Sequence, residues 1–563
     1  MKHFDARWRA MVLGASACLS ASAVSTPVQA GPTARFERFH YTALDTPPPP
    51  EGMFRNPVLP GFYPDPSIVR VGKDFYLVTS TFGWFPGLPI FHSTDLVNWK
   101  LIGHAIDRPG MVDLGHSRLV ADGLYAPAID YRNGLFVIFN TCVRCGGNFF
   151  VTARDPAGPW SDPIWVDIGG IDPSLFVDED GQAWVINNDA PPGDPLYEGH
   201  RAIWIQPIDL ASGEVTGERT LLVNGGTDLS TQPVWAEGPH IYRMGGWYYL
   251  SVAEGGTMDQ HSQTIYRSRS VTGPYEPGPV NPTLTQRDLP ADRADRVEAT
   301  GHADMVRLDD GSWWATFLAM RPFTGMSTLL GRESWLLPVE WTDGWPRVLA
   351  PGEPVPLIST RPDLPEGAGT DWSRITDDFS NGKLAQDWLE VRNPAPVQWY
   401  ALDRSANALL LVPGADAASG PGKPHFLGRR MRHPAARWTT RLTFAPSGKG
   451  EGAGLLAMAN EENFLLAGIE MLDGETQIVV RRHDLASDPE EGVLIASSPF
   501  AGGNTPVDLR LTIRDGVADI DWRVGEGGWR TLAHAINIEH MASAHSDLFA
   551  GVVAGPYGWG AAD

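Results

Sequence analysis

A chain of 563 residues is too long for a single hydrophobic core, so two or three domains are expected. The formal net charge of −23 argues against nucleic acid, an anionic membrane surface or an acidic polysaccharide as a partner, because such partners are bound through an excess of Lys and Arg. A neutral or cationic ligand is left. The 21 Trp, 61 Gly and 48 Pro suit short strands and tight turns better than helix bundles.

The first thirty residues predict a secretory signal peptide. Lys2, Arg7 and Arg9 give a basic start, residues 11–24 are apolar and rich in small side chains, and Ala30 ends a small-x-small cleavage site. The apolar run is too short to span a bilayer. The protein is therefore expected to be exported, to the periplasm or the extracellular space, without a membrane span.

Residues 31–54 form a Pro-rich N-terminal segment, which predicts an extended linker. From 55 to 360 the chain is dense in short aromatic strands bounded by Gly, Asp or Pro, with little helical periodicity. Five similar hairpins predict a five-bladed β-propeller of four-stranded blades whose first strands lie innermost, with a sandwich as the competing fold. The aromatic strands of the five hairpins are FYLVTSTF (75–82), LFVIFNT (135–141), AWVINN (183–188), WYYLSVA (247–253) and WWATFLAM (313–320).

Cys142 and Cys145 stand close together at the end of a predicted strand. They are too few for a disulfide-built scaffold, and two cysteines alone do not make a closed zinc site. The simplest interpretation is a loop pair, free or disulfide-linked, and a redox or metal role is the alternative.

A second Pro-rich passage, 361–370, predicts a linker between two domains. Residues 371–563 then alternate apolar and polar side chains between Gly-rich turns, as in RWTTRLTF (437–444) and ADIDWRV (518–524). This pattern predicts a β-sandwich of jelly-roll, lectin-like shape.

Three acidic residues and a histidine occupy the same position in the repeated hairpin. Asp65, Asp172, Glu237 and His302 each precede a short apolar run. A glycine follows nine positions after each of the last three. Equivalent strand ends in a propeller point at one axis, so these side chains are expected to converge on one pocket. Proline after Asp65 and Asp172 is expected to hold both residues extended.

Converging carboxylates can perform acid/base chemistry on a sugar acetal. Hydrolysis with inversion needs a carboxylate that activates water and a carboxylic acid that protonates the leaving oxygen. A third carboxylate nearby would raise the pKa of the acid. Each Asp taken alone would be a turn or capping residue, and only the shared repeat position favours catalysis.

The chain resembles glycoside hydrolase family 43, most closely the branch of β-xylosidases and α-L-arabinofuranosidases with a C-terminal β-sandwich. The motifs that carry the resemblance are NPVLPGFYPDPSI (56–68), STDLVNW (93–99), YAPAIDY (125–131), GIDPSLFVDEDG (170–181), AEGPHIY (236–242), GHADMV (301–306) and LLGRESWLLPVEWTDGWP (329–346). The resemblance implies that Asp65 is the general base, that Asp172 orients the acid and raises its pKa, and that Glu237 is the general acid.

The resemblance also implies which residues bind substrate. Arg321 is expected to contact hydroxyls of the terminal sugar, and His302 to lie near the bottom of the pocket. No cofactor is required, although some relatives bind a cation such as calcium on the axis near this histidine. Aromatic residues are expected to form a rim for the sugar: Phe82, Trp84, Phe85 and Tyr125.

The resemblance favours an inverting exo-glycosidase that removes terminal β-D-xylosyl or α-L-arabinofuranosyl residues from neutral, xylan-derived oligosaccharides. An endo-arabinanase is an alternative that would need an open groove. A non-catalytic sugar-binding propeller with a lectin-like module is the alternative outside enzymes, and it would not need three carboxylates at one repeat position. A homo-oligomer is left open.

Overall fold

The computed structural model describes residues 32–546 and 549–560. They form two all-β domains, a five-bladed propeller and a two-sheet sandwich, which confirms the predicted fold class. In this part of the chain the helices are two single turns of 3-10 type, Leu229–Thr231 and Glu539–Met541, and no helix is long and apolar enough to cross a membrane. The predicted signal peptide, 1–30, lies outside the described residues.

Each blade is an antiparallel sheet whose first strand lies nearest the axis. Gly134, Gly181, Gly246 and Gly311 form the turn after the first strand, with φ of 79, 88, 73 and 89°, a left-handed conformation that favours glycine. Blade 1 contains Ser67–Val71, Asp74–Val78, Gly87–Ser93 and Lys100–Ile106; blade 2 contains Ala128–Arg132, Leu135–Val143, Gly147–Ala153 and Ile164–Trp165, with Gly123–Leu124 added. Blade 3 contains Ile171–Val177, Ala183–Asp189, Ala202–Pro207 and Thr220–Asn224. Blade 4 contains Glu237–Met244, Trp247–Glu254, Ser262–Ser268 and Glu276–Pro277, with Leu284–Thr285 added; blade 5 contains Glu298–Arg307, Trp313–Met320, Glu333–Thr342 and Trp345–Arg347.

A separate apolar core fills each of the five junctions between blades, including the junction that closes the ring. At that closing junction Phe75 and Leu77 of blade 1 pack with Trp314 and Leu336 of blade 5. The buried carboxylate of Asp304 in blade 5 also accepts hydrogen bonds from the Ser67 hydroxyl and the Ile68 N–H of blade 1, at 2.7 and 2.9 Å. The ring is thus closed by packing and hydrogen bonds between two complete blades.

The sandwich consists of two antiparallel sheets with a core of aromatic and branched side chains between them. The first sheet has the order Tyr400–Asp403, Ala408–Leu411, Ala34–Ala43, Ala435–Thr443, Val507–Arg514, Val517–Val524 and Arg530–Asn537, with Arg374–Asp377 also paired to Ala34–Ala43. The second has the order His425–Phe426, Val553–Trp559, Gly452–Met458, Phe464–Leu472, Glu475–His483 and Val493–Pro499, with Arg429–Arg430 also paired to Val553–Trp559.

The interpretation of 31–54 as a linker is wrong for most of its first half. Ala34–Ala43 is a ten-residue strand inside the sandwich, and it pairs along most of its length with Ala435–Thr443. Its side chains at Phe36, Phe39 and Tyr41 are buried in the sandwich core. The stretch that contains the four prolines is exposed and without regular structure. The chain therefore contributes a strand to the sandwich before it builds the propeller, and it returns to the sandwich afterwards.

Two short strand pairs connect these parts. Met53–Arg55 pairs with Ile358–Thr360 where the chain enters and leaves the propeller. Trp84–Phe85 of the propeller pairs with Glu390–Val391 of the sandwich, so the two domains share main-chain hydrogen bonds.

Cys142 and Cys145 form a disulfide bond with 5.1 Å between their Cα atoms. The bond closes the turn between the second and third strands of blade 2. Of the interpretations left open by the sequence, the structure shows the disulfide-linked loop pair.

Candidate active site

The repeat-position residues lie in or just before the inner strands of blades 1, 3, 4 and 5, in a backbone that turns sharply. Asp65, Asp172 and His302 have φ of 53, 55 and 53°, and Gly238, which follows Glu237, has φ of 54°. The strand pairing of blades 3, 4 and 5 is interrupted by a bulge at this point. The expectation that proline holds both Asp residues extended is therefore wrong. Left-handed backbone and bulges redirect side chains, and both concentrate at functional sites.

Asp65 is buried, 4% exposed, and bound by two groups. The Arg332 guanidinium donates to its Oδ1 at 3.0 Å, and the Ser80 hydroxyl donates to its Oδ2 at 2.5 Å. Arg332 is itself held by a hydrogen bond to the Thr257 hydroxyl at 3.2 Å. A charge-assisted pair of this kind fixes the orientation of the carboxylate.

Asp172 joins blade 3 to blades 4 and 5. Its Oδ2 accepts a hydrogen bond from the Gly238 N–H at 3.2 Å and lies 3.5 Å from Nε2 of His302. The backbone of Gly238 approaches the imidazole so closely that a Cβ there would lie 2.7 Å from Nε2 of His302. Glycine after Glu237 is therefore a packing requirement of this site.

The carboxyl group of Glu237 lies next to these charged side chains. Burial, followed by the charges of Asp172 and Asp65, raises the pKa of Glu237 to about 8, although His302 and Arg332 act in the opposite direction. The carboxyl group is thus largely protonated at neutral pH and can donate a proton.

His302 lies among the three carboxylates. Burial acts to lower the pKa of His302, but the hydrogen bond with Asp172 and the charges of Asp65, Asp172 and Glu237 outweigh burial and raise this pKa to about 9. A protonated imidazole is a hydrogen-bond donor on both nitrogens. His302 thus faces Asp172 as a hydrogen-bond donor.

The structure gives no support to a calcium ion near His302, which the resemblance had left only as a possibility. Throughout residues 32–546 and 549–560, no group of three or more His, Cys, Asp or Glu side chains could hold a metal ion. The positive charges next to the carboxylates are instead those of Arg332 and His302.

Of the four predicted rim aromatics, the structure brings Phe82 and Tyr125 to the site. Their rings meet edge to face with centroids 5.2 Å apart, and Phe549 of the sandwich packs on both, at 5.5 and 6.2 Å. Phe82 is buried, so the partly accessible rings are those of Tyr125 and Phe549. Arg332 lies 5.7 and 5.0 Å from the Phe82 and Phe549 ring centroids.

Trp84 and Phe85 do not belong to the rim. Both are buried in the strand that pairs with the sandwich, and Trp84 packs on Phe426 of that domain with ring centroids 6.2 Å apart. Phe85 packs in the core between blades 1 and 2. The strand that they form joins the two domains through its main chain, and neither ring is exposed to a ligand.

Arg321 is also placed elsewhere. Its guanidinium makes a bidentate pair with the buried Glu333, both distances 2.7 Å, and it lines a cavity of about 370 Å³ that includes Pro434 and Asp515 of the sandwich. The arginine beside the carboxylates is Arg332. It stands in the motif LLGRESW (329–335), so the signal was present in the sequence, but its pairing with a residue 267 positions away was not.

The chemistry available here is general acid and base catalysis. One carboxylate, Asp65, is ion-paired and fixed, while another, Glu237, is kept protonated by the same small pocket. Carboxyl groups whose environments differ in this way identify an acid/base pair.

Comparison with known proteins agrees with this geometry. Residues 54–346 match the model of glycosyl hydrolases family 43, and residues 376–562 match that of a beta xylosidase C-terminal concanavalin A-like domain. The chain is 40% identical to a non-reducing end alpha-L-arabinofuranosidase of Bacteroides ovatus, over 76% of this chain and 78% of that protein. It is 38% identical to a xylosidase/arabinosidase of Butyrivibrio fibrisolvens, over 73% of this chain and 78% of that protein. A crystal structure of a family 43 protein from a capybara gut metagenome superposes with a TM-score of 0.84 and 32% identity, over 94% of this chain and 100% of that one. With its carboxylates gathered on the axis of a five-bladed propeller, the chain belongs to glycoside hydrolase family 43.

Proposed function

We propose that this glycoside hydrolase is an inverting exo-enzyme that removes terminal β-D-xylosyl or α-L-arabinofuranosyl residues from neutral oligosaccharides derived from xylan. Asp65 is the general base that activates water, Glu237 is the general acid, and Asp172 orients the acid and raises its pKa. The observation that carries the proposal is the pocket in which Glu237 has a pKa near 8 while Asp65 is ion-paired to Arg332. No covalent sugar–enzyme intermediate is required.

The substrate class is supported by the relatives, whose names include both xylosidase and arabinosidase activities. Exo action is supported by Phe549 of the sandwich. Its ring packs against Phe82, Tyr125 and Arg332, and so it narrows the opening of the site at this end of the propeller. An endo-arabinanase would need an open groove at the same place.

We also propose that the protein is exported. A signal peptide is supported by residues 1–30, in which a basic start is followed by an apolar run and then by a cleavage site of small residues. The disulfide between Cys142 and Cys145 suits an oxidising compartment.

The proposed function predicts which sugar anomer is released first. NMR of 4-nitrophenyl β-xyloside hydrolysis should show α-xylose as the first product, and 4-nitrophenyl α-L-arabinofuranoside should be cleaved at the same site. Asp65→Asn should lower kcat by roughly 10³-fold or more on both substrates, because water activation is lost. Asp74→Asn, at a half-buried carboxylate that pairs with His92 in blade 1, is the control and should retain activity. First release of β-xylose, or a kcat of Asp65→Asn equal to that of the parent, would refute the mechanism.

A further inference from the structure

The segment that leads into Asp65, residues 60–64, lies against two buried arginines of the sandwich. Arg430 and Arg432 are 2% and 1% exposed, and they belong to or follow the short strand Arg429–Arg430. Between them, Met431 approaches the propeller so closely that any Cβ at Gly61 would collide with the Met431 carbonyl oxygen. The sandwich therefore contacts the main chain a few residues before the proposed base.

Both arginines converge on one side chain of that segment, Tyr63. The Arg432 Nη2 donates a hydrogen bond to the Tyr63 hydroxyl at 2.6 Å, and its Nη1 donates to the Pro60 carbonyl at 3.4 Å. The guanidinium carbons of Arg430 and Arg432 lie 4.5 and 4.9 Å from the centroid of the Tyr63 ring. One aromatic ring is thus contacted by two cations from the other domain.

The main chain of Tyr63 is held by Arg332, the partner of Asp65, and by Ser334 in the strand that follows it. The Tyr63 N–H donates to the Arg332 carbonyl at 3.1 Å, and the Ser334 hydroxyl donates to the Tyr63 carbonyl at 2.6 Å. Two residues before Asp65, Tyr63 is therefore bonded through its main chain to Arg332 and Ser334, while its side chain is anchored in the sandwich.

Stability alone does not favour this arrangement. Two like charges are buried side by side, and burial lowers the pKa of Arg430. Within the described part of the chain, Nε and Nη2 of Arg430 and Nε of Arg432 have no hydrogen-bond partner. Apolar side chains of similar volume would avoid this desolvation. Locally unfavourable choices of this kind are expected where function requires them.

We propose that Arg432, supported by Arg430, is a positioning residue for the catalytic base: by anchoring Tyr63 it sets Asp65 against Arg332, so that turnover depends on the docked sandwich. The inference rests on the proposed role of Asp65. A displacement of about 1 Å at a reacting group can cost roughly 10²-fold in rate.

The test is Tyr63→Phe, which removes the hydroxyl but keeps the ring. We expect kcat to fall roughly 10- to 100-fold, with KM within about twofold of the parent. The loss should be equal for aryl xylosides with acidic and with weakly acidic phenols, because the base and not the acid is misplaced. Tyr249→Phe is the matched control: this buried tyrosine of blade 4 donates to the Gly344 carbonyl at 2.7 Å, far from the segment, and kcat should be retained.

Arg432→Leu and the double variant with Tyr63→Phe complete a cycle. Because both changes remove the same hydrogen bond, the double variant should lose little more kcat than the more affected single variant. Arg432→Lys should recover part of the loss. The proposal is overturned if kcat is unchanged in Tyr63→Phe, if only KM changes, or if the losses in kcat multiply in the double variant. If Arg432→Leu fails to fold, the result for Tyr63→Phe decides. Failure of the proposed function would instead be visible in the parent enzyme. It would show no turnover, or it would release xylose with the β configuration of the substrate retained.

Discussion

At the scale of single residues, the site separates three carboxyl groups by the charges around them. Asp65 faces Arg332, Asp172 faces His302, and Glu237 is raised in pKa by burial and by its two acidic neighbours. The same side-chain chemistry thus gives three different environments, which fit the proposed roles of base, modulator and acid.

Asp172 is predicted to set the high-pH limb of the pH–rate profile. Glu237 must be protonated to act, so kcat/KM should fall as pH rises past about 8. In Asp172→Asn a negative charge that raises the pKa of Glu237 is gone, and the limb should move to lower pH. Asp178→Asn, just beyond the other end of the same strand, is the control and should leave the limb in place. A limb that does not move in Asp172→Asn would contradict the modulator role.

The proposed acid/base residues were predictable because they occupy one repeated position in the hairpins. The residues that pair with them were not predictable. Asp65, Asp172, Glu237 and His302 share one position in successive hairpins, which sequence alone displays. Arg332 was missed because an ion pair across 267 positions depends on ring closure, and no local pattern distinguishes it from Arg321.

At the scale of elements, strands and turns followed from local patterns, but the start of each inner strand did not. Period-two alternation and turn glycines fix the hairpins. The bulges and left-handed residues that aim Asp172 and His302 depend on contacts between blades, such as that of Gly238 with His302. The same limit explains Trp84–Phe85, whose partner strand Glu390–Val391 lies in another domain.

The segment that carries Phe549 is predicted to contribute to substrate binding. Phe549→Ala removes a ring that packs on Phe82 and Tyr125, and aromatic contacts of this kind contribute about 1 kcal/mol. KM for the aryl xyloside should rise about 5- to 10-fold, with a smaller change in kcat. Phe323→Ala is the control, since that half-buried ring lines the interdomain cavity instead. Equal KM values in the two variants would show that Phe549 does not reach the substrate.

At the scale of the whole molecule, the sandwich is not an appendage of the propeller. It supplies Phe549 to the pocket, Arg432 to the segment before Asp65 and a strand partner to Trp84–Phe85. Its own first strand, Ala34–Ala43, precedes the propeller in the chain. The sequence did not reveal this strand because a bulge between Phe36 and Arg38 shifts its alternation of buried and exposed residues.

Deleting residues 32–44 should therefore unfold the sandwich. The deletion removes Phe36, Phe39 and Tyr41 from the core, and each fully buried side chain of this size contributes roughly 1.5–3 kcal/mol. Their sum is comparable with the total stability of a typical domain, about 5–15 kcal/mol. Thermal unfolding should lose the sandwich transition, and activity should disappear. Replacement of the exposed Pro47–Pro50 run by serines is the control and should leave Tm near that of the parent. An unchanged Tm after the deletion would contradict the structural role of the strand.

The interlaced path of the chain has a consequence for biosynthesis. Ala34–Ala43 leaves the ribosome about 390 residues before its neighbour Ala435–Thr443, which at about 5–20 residues per second is a delay of roughly 20 to 80 s. Until Arg374–Asp377 and Ala408–Leu411 are made, this aromatic strand has no partner along either edge, while the whole propeller is being translated. The same chain order means that the sandwich cannot be transferred between genes as one uninterrupted cassette, because its first strand and the rest of the domain lie on opposite sides of the propeller in the sequence.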